Sequence, residues 1–372
     1  MTTTTLAKRI HNFGAGPAAL PLPVLERVQA ELLDYAGTGM SVLEMSHRSA
    51  AFEGIIQKAE EDLRALAGLG SDHVVLFLQG GASLQFSMLP RQPARGLGLR
   101  GLRRHGSLGE GRREGGREVG ARARRGHDRG DRLRPRAGGG ELQLDPQAAY
   151  LHFTSNNTIY GTQWATAPEP PKGVPLVCDM SSDALSRPLD IAQYGLVYAG
   201  AQKNLGPAGV TLVVMRRELL ERVPAGLPAV LDYKLMAENR SLYNTPPCFA
   251  IYVTGLVLAW LREQGGLAAA GERNAAKAAL VYEAIDGSDG FYRGHRAAGQ
   301  PLGDEHHLPA EGRGGREGLP RRRAGRGARR PQRPSLGRRV RASLYNACPR
   351  ESGRGARQLH GRVPPPPRLT PA

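Results

Sequence analysis

Lys203 lies in LVYAGAQKNLGPAGVTLVVM, residues 196–215, on a short polar turn between two apolar runs. Upstream, VPLVCDMSS closes another apolar run on Asp179. A lysine amine condenses with an aldehyde, and a carboxylate facing a pyridine nitrogen keeps that ring protonated and able to draw electrons. An acid at one strand end and a lysine at the next polar turn are what chemistry on pyridoxal 5′-phosphate (PLP) needs. Each residue alone says little, because a lysine after a strand is ordinarily solvated and an aspartate there is ordinarily a cap. The packaging adds weight. Gly200, Gln202, Asn204, Gly206, Pro207 and Gly209 box Lys203 in a turn whose glycines let backbone approach a bound group.

These residues need a scaffold, and the flanking text supplies one. VVLFLQ (74–79) reads as a continuous apolar strand, broken by Gly80-Gly81-Ala82-Ser83 and followed by a helix-like LQFSML. Strand, glycine turn and helix is a geometry in which free N–H groups and the helix dipole collect a phosphate. Residues 17–35 and 50–67 read as amphipathic helices, and 247–285 as further helix. Apolar strands are expected at 149–153, 174–178, 196–199 and 210–215. Their alternation with helical segments predicts an α/β fold with a mostly parallel central sheet covered on both faces. A large domain over 17–265 and a smaller α/β C-terminal domain, built from 1–16 with 266–372, is the expected division.

Composition narrows the class. The formal net charge is +17, yet residues 91–140 hold 15 arginines against 5 acids, and residues 301–372 hold 17 against 5. The excess therefore sits in two blocks, and the rest of the chain is mildly acidic. Neither block contains a lysine, and Tyr345 is their single Phe, Tyr or Trp residue. Three readings compete: an Arg/Gly-rich nucleic-acid-binding insert, a solvated loop, or a GC-rich gene read out of frame. The abrupt edges near Pro90, Glu141 and Phe291, and the lack of aromatics for base stacking, favour the last. Cys178, Cys248 and Cys348 are widely spaced, which fits a reducing cytoplasm and no disulfide framework or metal site. MTTTTLAKRI has no apolar core, so no signal peptide is expected, and the longest apolar stretch, CFAIYVTGLVLAWL, is too short and interrupted for a membrane span.

Taken together, the chain resembles the phosphoserine aminotransferases, fold-type I PLP transferases of the class V group. The matching text is NFGAGPAALP (12–21), SVLEMSHRS (41–49), LFLQGGASLQF (76–86), HFTSNNTIYGTQW (152–164), VCDMSSDALSRPLD (177–190), YAGAQKNLGPAG (198–209), SLYNTPP (241–247) and RASLYNA (341–347). The resemblance implies that Lys203 forms the imine with PLP and that Asp179 meets the pyridine nitrogen. It implies that Ala82 and Ser83 cup the cofactor phosphate, with Gln202 and Thr158 as further contacts. Asn244 and Thr245 match residues that reach the cofactor of a partner subunit, hence a homodimer. His47 and Arg48 match an anion-binding pair for the phosphorylated substrate, and Arg341 matches the clamp on the α-carboxylate, both suited by arginine's planar fork. The implied reaction passes an amino group from glutamate to a phosphorylated 2-oxo acid, giving phosphoserine. The homologous phosphohydroxythreonine is a second implied product.

Two family features are missing. A tryptophan that stacks on the cofactor ring belongs within 91–140, where HGSLGEG stands instead, and a His-Arg pair ahead of Arg341 is replaced by QRPSLGRR. Loss of both segments is expected to cost sheet burial and activity, leaving a poorly folding or inactive polypeptide. One rival is another class V enzyme, of alanine–glyoxylate or cysteine desulfurase type. A desulfurase needs a mobile cysteine, whereas Cys178 falls inside an apolar strand and Cys248 starts a buried helix. The other rival is a nucleic-acid-binding protein working through the arginine blocks.

Overall fold

Apolar runs four to six residues long, with little polar alternation, fold as strands covered on both faces. The computed structural model describes residues 9–91, 146, 148–158, 162–287, 307–311 and 339–349. In chain order the first elements are α1 (Leu22–Ala30), α2 (Ala50–Ala67), β1 (His73–Leu78) and α3 (Gly81–Met88). Then come β2 (Leu151–Thr154), the short pair β3 (Asn156–Asn157) and β4 (Thr162–Gln163), β5 (Leu176–Asp179), β6 (Leu196–Gly200) and β7 (Thr211–Arg216). Helices α4 (Tyr233–Glu238), α5 (Cys248–Glu263) and α6 (Gly266–Asp286) follow, and β8 (His307–Glu311) pairs antiparallel with β9 (Arg339–Ser343). Most of the two arginine-rich blocks lies outside the described residues.

The central sheet has the order β1-β7-β6-β5-β2. β6 pairs parallel with β5, and β5 with β2, while β7 is antiparallel to both β1 and β6. Four of the five strands thus run the same way. The exception has a simple cause: only ten residues join β6 to β7, too few for the crossover a parallel neighbour requires. Register splits each strand between two cores. Val75, Phe77, Cys178, Val197, Ala199, Leu212 and Val214 face Phe52, Ile55, Ala59 and Leu63 of α2 and Ile251, Leu258 and Leu261 of α5. Val74, Leu76, Leu78, Val177, Tyr198, Val213 and Met215 face Phe86 and Met88 of α3 and Tyr233 and Met236 of α4. The result is three layers, helix–sheet–helix.

α2 occupies its expected span because both ends are marked. Ser49 accepts from the Phe52 N–H, and Gly68 ends the helix in the left-handed region at φ 64°. At its crossing with α5, an added Cβ on Gly255 would stand 3.2 Å from Ala59 Cβ, so glycine is what lets the two axes close up. α1 is shorter than the 17–35 pattern suggests. Proline is tolerated only in a first turn, so Pro17 and Pro21 hold the helix start back to Leu22. The helical stretch expected over 247–285 is broken at Gln264 and Gly265, the latter at φ 90°, and continues as α6. Among the described residues, no helix is long and apolar enough to cross a membrane.

Candidate active site

β1, β2, β5 and β6 all point their carboxyl ends at one edge of the sheet. In open α/β sheets that edge is where ligands bind. Four short stretches therefore converge there: Gln79–Ser83, Ser155–Thr158, Asp179–Ser182 and Ala201–Asn204.

Asp179 is the last residue of β5 and is 1 % exposed, and its Oδ1 accepts from the Ser181 N–H at 2.9 Å. Lys203 is half-buried on the turn after β6, the strand paired directly with β5. That turn is short and tightly tied. The Ala201 N–H donates to Val210 O at 2.9 Å, the Gly206 N–H to Ala201 O at 2.8 Å, and the Gly200 N–H to Ser181 Oγ at 3.1 Å. The last of these links the lysine turn to the segment following Asp179. From the N-terminal side, the Ala18 N–H donates to Gln202 O at 2.8 Å. Gly16, at φ 136°, packs so closely that an added Cβ would lie 3.6 Å from Lys203 Cγ.

After β1, Gly80 (φ 82°) and Gly81 (φ 65°) swing the chain into α3, leaving the Gly81, Ala82 and Ser83 N–H groups at its start. Leu84 leans back against Gly80, where an added Cβ would fall 2.6 Å away, so the turn admits no side chain there. Ala82 is half-buried and Ser83 exposed. Thr245 O accepts from Gln79 Nε2 at 3.1 Å, bringing the Asn244–Thr245 turn beside the start of this loop in the same chain. Asn244 is half-buried and Thr245 exposed. Thr158 is half-buried beyond β3, whose residue Asn156 accepts at its backbone oxygen from Ser182 Oγ. His47 is half-buried with Nε2 enclosed and unpartnered, and Arg48 beside it is exposed. Arg341 lies on β9, opposite Pro309; its side chain is not among the described ones.

Next to Asp179 lies a second buried acid. Asp183 accepts from Ser155 Oγ and, at 2.9 Å, from Gln163 Nε2, and burial pushes its carboxyl above the usual range. Cys178 is fully buried and desolvation pushes its thiol well up; the half-buried Cys248 is raised for the same reason. A nucleophilic cysteine needs the opposite shift, which removes the support for desulfurase chemistry at these two positions. Among the described residues no cluster of three or more His, Cys, Asp or Glu could hold a metal.

PLP presents a phosphate, a ring nitrogen and an aldehyde, and the site has a matching group for each. These are the α3 N-terminus, the buried Asp179 and the half-buried Lys203. A stacking ring is not matched by either tryptophan. Trp164 and Trp260 pack against the core on the α2/α5 side, Trp164 edge-on to Phe153 at 5.9 Å. Sequence reasoning passed over Gly16, Asn274, Lys277 and Asn346, which tie the site together, and read Asn204 only as part of the turn around Lys203. Asn204 adjoins Lys203, and Gly16 and Asn346 stand in the matching motifs, but Asn274 and Lys277 carry no local signal.

The model of the aminotransferase class-V family matches residues 10–100 and 137–301, leaving out most of the first arginine block and everything after residue 301. Phosphoserine aminotransferase of Geobacillus kaustophilus is 52% identical over 297 residues, covering 78% of this chain and 81% of that protein. Among solved structures, phosphoserine aminotransferase from Bacillus circulans subsp. alkalophilus aligns with a TM-score of 0.81 at 39% identity, covering 96% of this chain and 99% of that one. PLP-bound phosphoserine aminotransferase from Trichomonas vaginalis gives 0.82 at 32% identity, covering 95% and 100%.

Proposed function

This chain belongs to the class V aminotransferase family, whose members use PLP, and we propose that its site is built for phosphoserine transamination. The reaction moves an amino group reversibly between O-phospho-L-serine with 2-oxoglutarate and 3-phosphooxypyruvate with L-glutamate, as in serine biosynthesis. 4-Phosphohydroxy-L-threonine, on the route to vitamin B6, is the homologous substrate. The observation that carries this reading is the pairing of β5 with β6, which delivers Asp179 and Lys203 to the edge where β1 hands over to Gly80–Gly81.

PLP, when bound, supplies an aldehyde and an electron-withdrawing ring. The chain's own groups do the rest. Lys203 anchors the cofactor and carries the proton to and from the substrate Cα. Asp179, buried and preoriented by the Ser181 N–H, holds a proton on the ring nitrogen. The N–H groups of Ala82 and Ser83 take the cofactor phosphate, with Gln202 and Thr158 beside it. His47 and Arg48 bind the substrate phosphate, Arg48 being exposed beside the half-buried His47. Arg341 clamps the α-carboxylate.

Asn244 and Thr245 serve the partner's site in a homodimer. The exposed Leu33, Leu43 and Tyr243, at 86%, 64% and 41%, favour a second copy covering them. The small domain, 1–16 with 266–372, is supported by a separate cluster of Phe13, Val281, Tyr282, Leu344 and Cys348; the large domain spans 17–265. We place the protein in the cytoplasm.

The test loads the purified chain with PLP, reduces it with borohydride and maps the adduct by mass spectrometry. It is expected on Lys203 and absent in Lys203→Ala; an adduct elsewhere, or none, removes the assignment. Turnover with glutamate and 3-phosphooxypyruvate is expected to be weak, because residues 91–140 contain no tryptophan. The coding DNA is expected to give patterned protein, tryptophan included, in a neighbouring frame across that block. A salt-sensitive gel shift with duplex DNA or RNA would instead favour the binding protein.

A further inference from the structure

Asn204 follows Lys203 in sequence, is 6% exposed, and spends both ends of its amide on other parts of the site. Its Nδ2 donates to Ser182 O at 3.3 Å, three residues past Asp179. Its Oδ1 accepts from the backbone N–H of Asn346 at 3.0 Å, five residues past Arg341. One side chain thus touches the turn that follows the lysine's neighbour strand and the C-terminal segment at once.

The far side of this joint is also fixed. Asn346 Nδ2 donates to Leu185 O at 2.9 Å, and its Oδ1 accepts from Asn274 Nδ2 at 2.7 Å. Asn274 donates from the same nitrogen to Ser186 O at 2.7 Å. Lys277 Nζ donates to Tyr345 O at 2.8 Å and to Asn346 O at 3.4 Å. Tyr345 Oη donates to Ala15 O at 2.8 Å, and the Ser343 N–H to Phe13 O at 3.1 Å. Asn274 and Lys277 are 1% and 2% exposed, so these bonds are sheltered from competing water. A network this fully satisfied has one arrangement, and displacing any member strands buried polar groups.

We propose that Asn204 is a positioning residue that bolts the Lys203 turn to the segment behind Asp179 and to the strand bearing Arg341, with Asn274 and Lys277 backing the joint. It acts on the reaction by fixing the amine relative to the acid and the carboxylate clamp, both ends of its amide being engaged by backbone groups. The inference deepens the cofactor reading above and rests on it for its chemical consequence.

Two variants test it. Asn204→Ala removes both amide bonds. Asn204→Asp keeps the acceptor toward Asn346 and loses the donor toward Ser182. In cofactor-free protein, Asn204→Ala is expected to speed amide hydrogen exchange about tenfold in peptides covering 201–206 and 343–348, with α2 unchanged. Asn204→Asp is expected to restore protection at 343–348 but not at 201–206. After PLP loading, the pH midpoint of the visible band from lysine-bound cofactor is expected to move by about half a unit or more in Asn204→Ala, since the amine's distance from Asp179 is no longer fixed. Unchanged exchange at 343–348, equal loss of protection in α2, or an unmoved midpoint overturns the proposal. A parent chain that forms no visible band refutes the cofactor assignment instead, while the exchange measurement still decides the joint.

Discussion

Lys277 offers the sharpest test of the packing behind the site. Its ammonium lies among backbone carbonyls, 2% exposed, and desolvation lowers its pKa from 10.5 to about 8, with Cys348 opposing and Arg273 adding to the shift. At roughly 1.4 kcal/mol per unit, the charged form is penalised in the fold by about 3 kcal/mol. The unfolded chain keeps this proton up to its ordinary value, whereas the folded chain releases it near 8. Between those two values the unfolded state binds more protons, so stability rises with pH; below 8 the penalty is present in full. The neutral amine still donates to both carbonyls, so the hydrogen bonds survive deprotonation. Urea unfolding of the parent and Lys277→Met at about pH 7 and about pH 10 isolates the effect, because every other titrating group is common to both. The parent is expected to gain about 2–3 kcal/mol relative to the variant across that interval. Parallel pH profiles, or a parent that loses ground as pH rises, would refute the reasoning, the latter by revealing an acid paired with the ammonium.

Other substitutions probe the site and its support. Asp179→Asn leaves a neutral amide where a buried carboxylate should face a ring cation, and is expected to weaken PLP retention by about a hundredfold in equilibrium dialysis, from a buried-pair loss of about 3 kcal/mol. Gly16→Ala forces an L-residue to φ 136° against the lysine turn and is expected to cost about 1–3 kcal/mol of stability by denaturant titration. Leu63→Ala, at a fully buried position between α2 and the sheet, is expected to cost about 2–5 kcal/mol by the same assay, and a loss below 1 would mean the core there is loose.

Much of the scaffold was readable from residue order. The five strands of the central sheet appeared within two residues at each end, because buried strands are unbroken apolar runs bounded by Gly, Pro or Asp, whereas β3, β4, β8 and β9 were not foreseen. α2 was legible over its span of 50–67 from its amphipathic spacing alone. Lys203 and Asp179 were legible as strand-end residues, and their pairing on neighbouring strands followed. The reversal of β7 was missed because direction depends on connection length and not on strand composition. The break at Gln264–Gly265 was missed although Arg262-Glu263-Gln264-Gly265-Gly266 interrupts the apolar pattern there, because the helical stretch was read as continuous across it. The Asn204 joint was invisible for a different reason: its partners lie 22 and 142 residues away, and amide–amide contacts leave no periodic trace. Lys277, on a helix rich in alanine, looks like any solvated lysine until the segment 343–348 covers it.

Phe13 and Ala15 meet Ser343 and Tyr345 beside the lysine turn. Tyr345 and Ala15 stand 330 residues apart, so this wall beside the lysine turn forms only once both have been synthesised. Until the later of these residues leaves the exit tunnel, the turn bearing Lys203 lacks that wall. On the proposed role of Lys203, retention of a vitamin-derived aldehyde would come late in the synthesis of this stretch of chain.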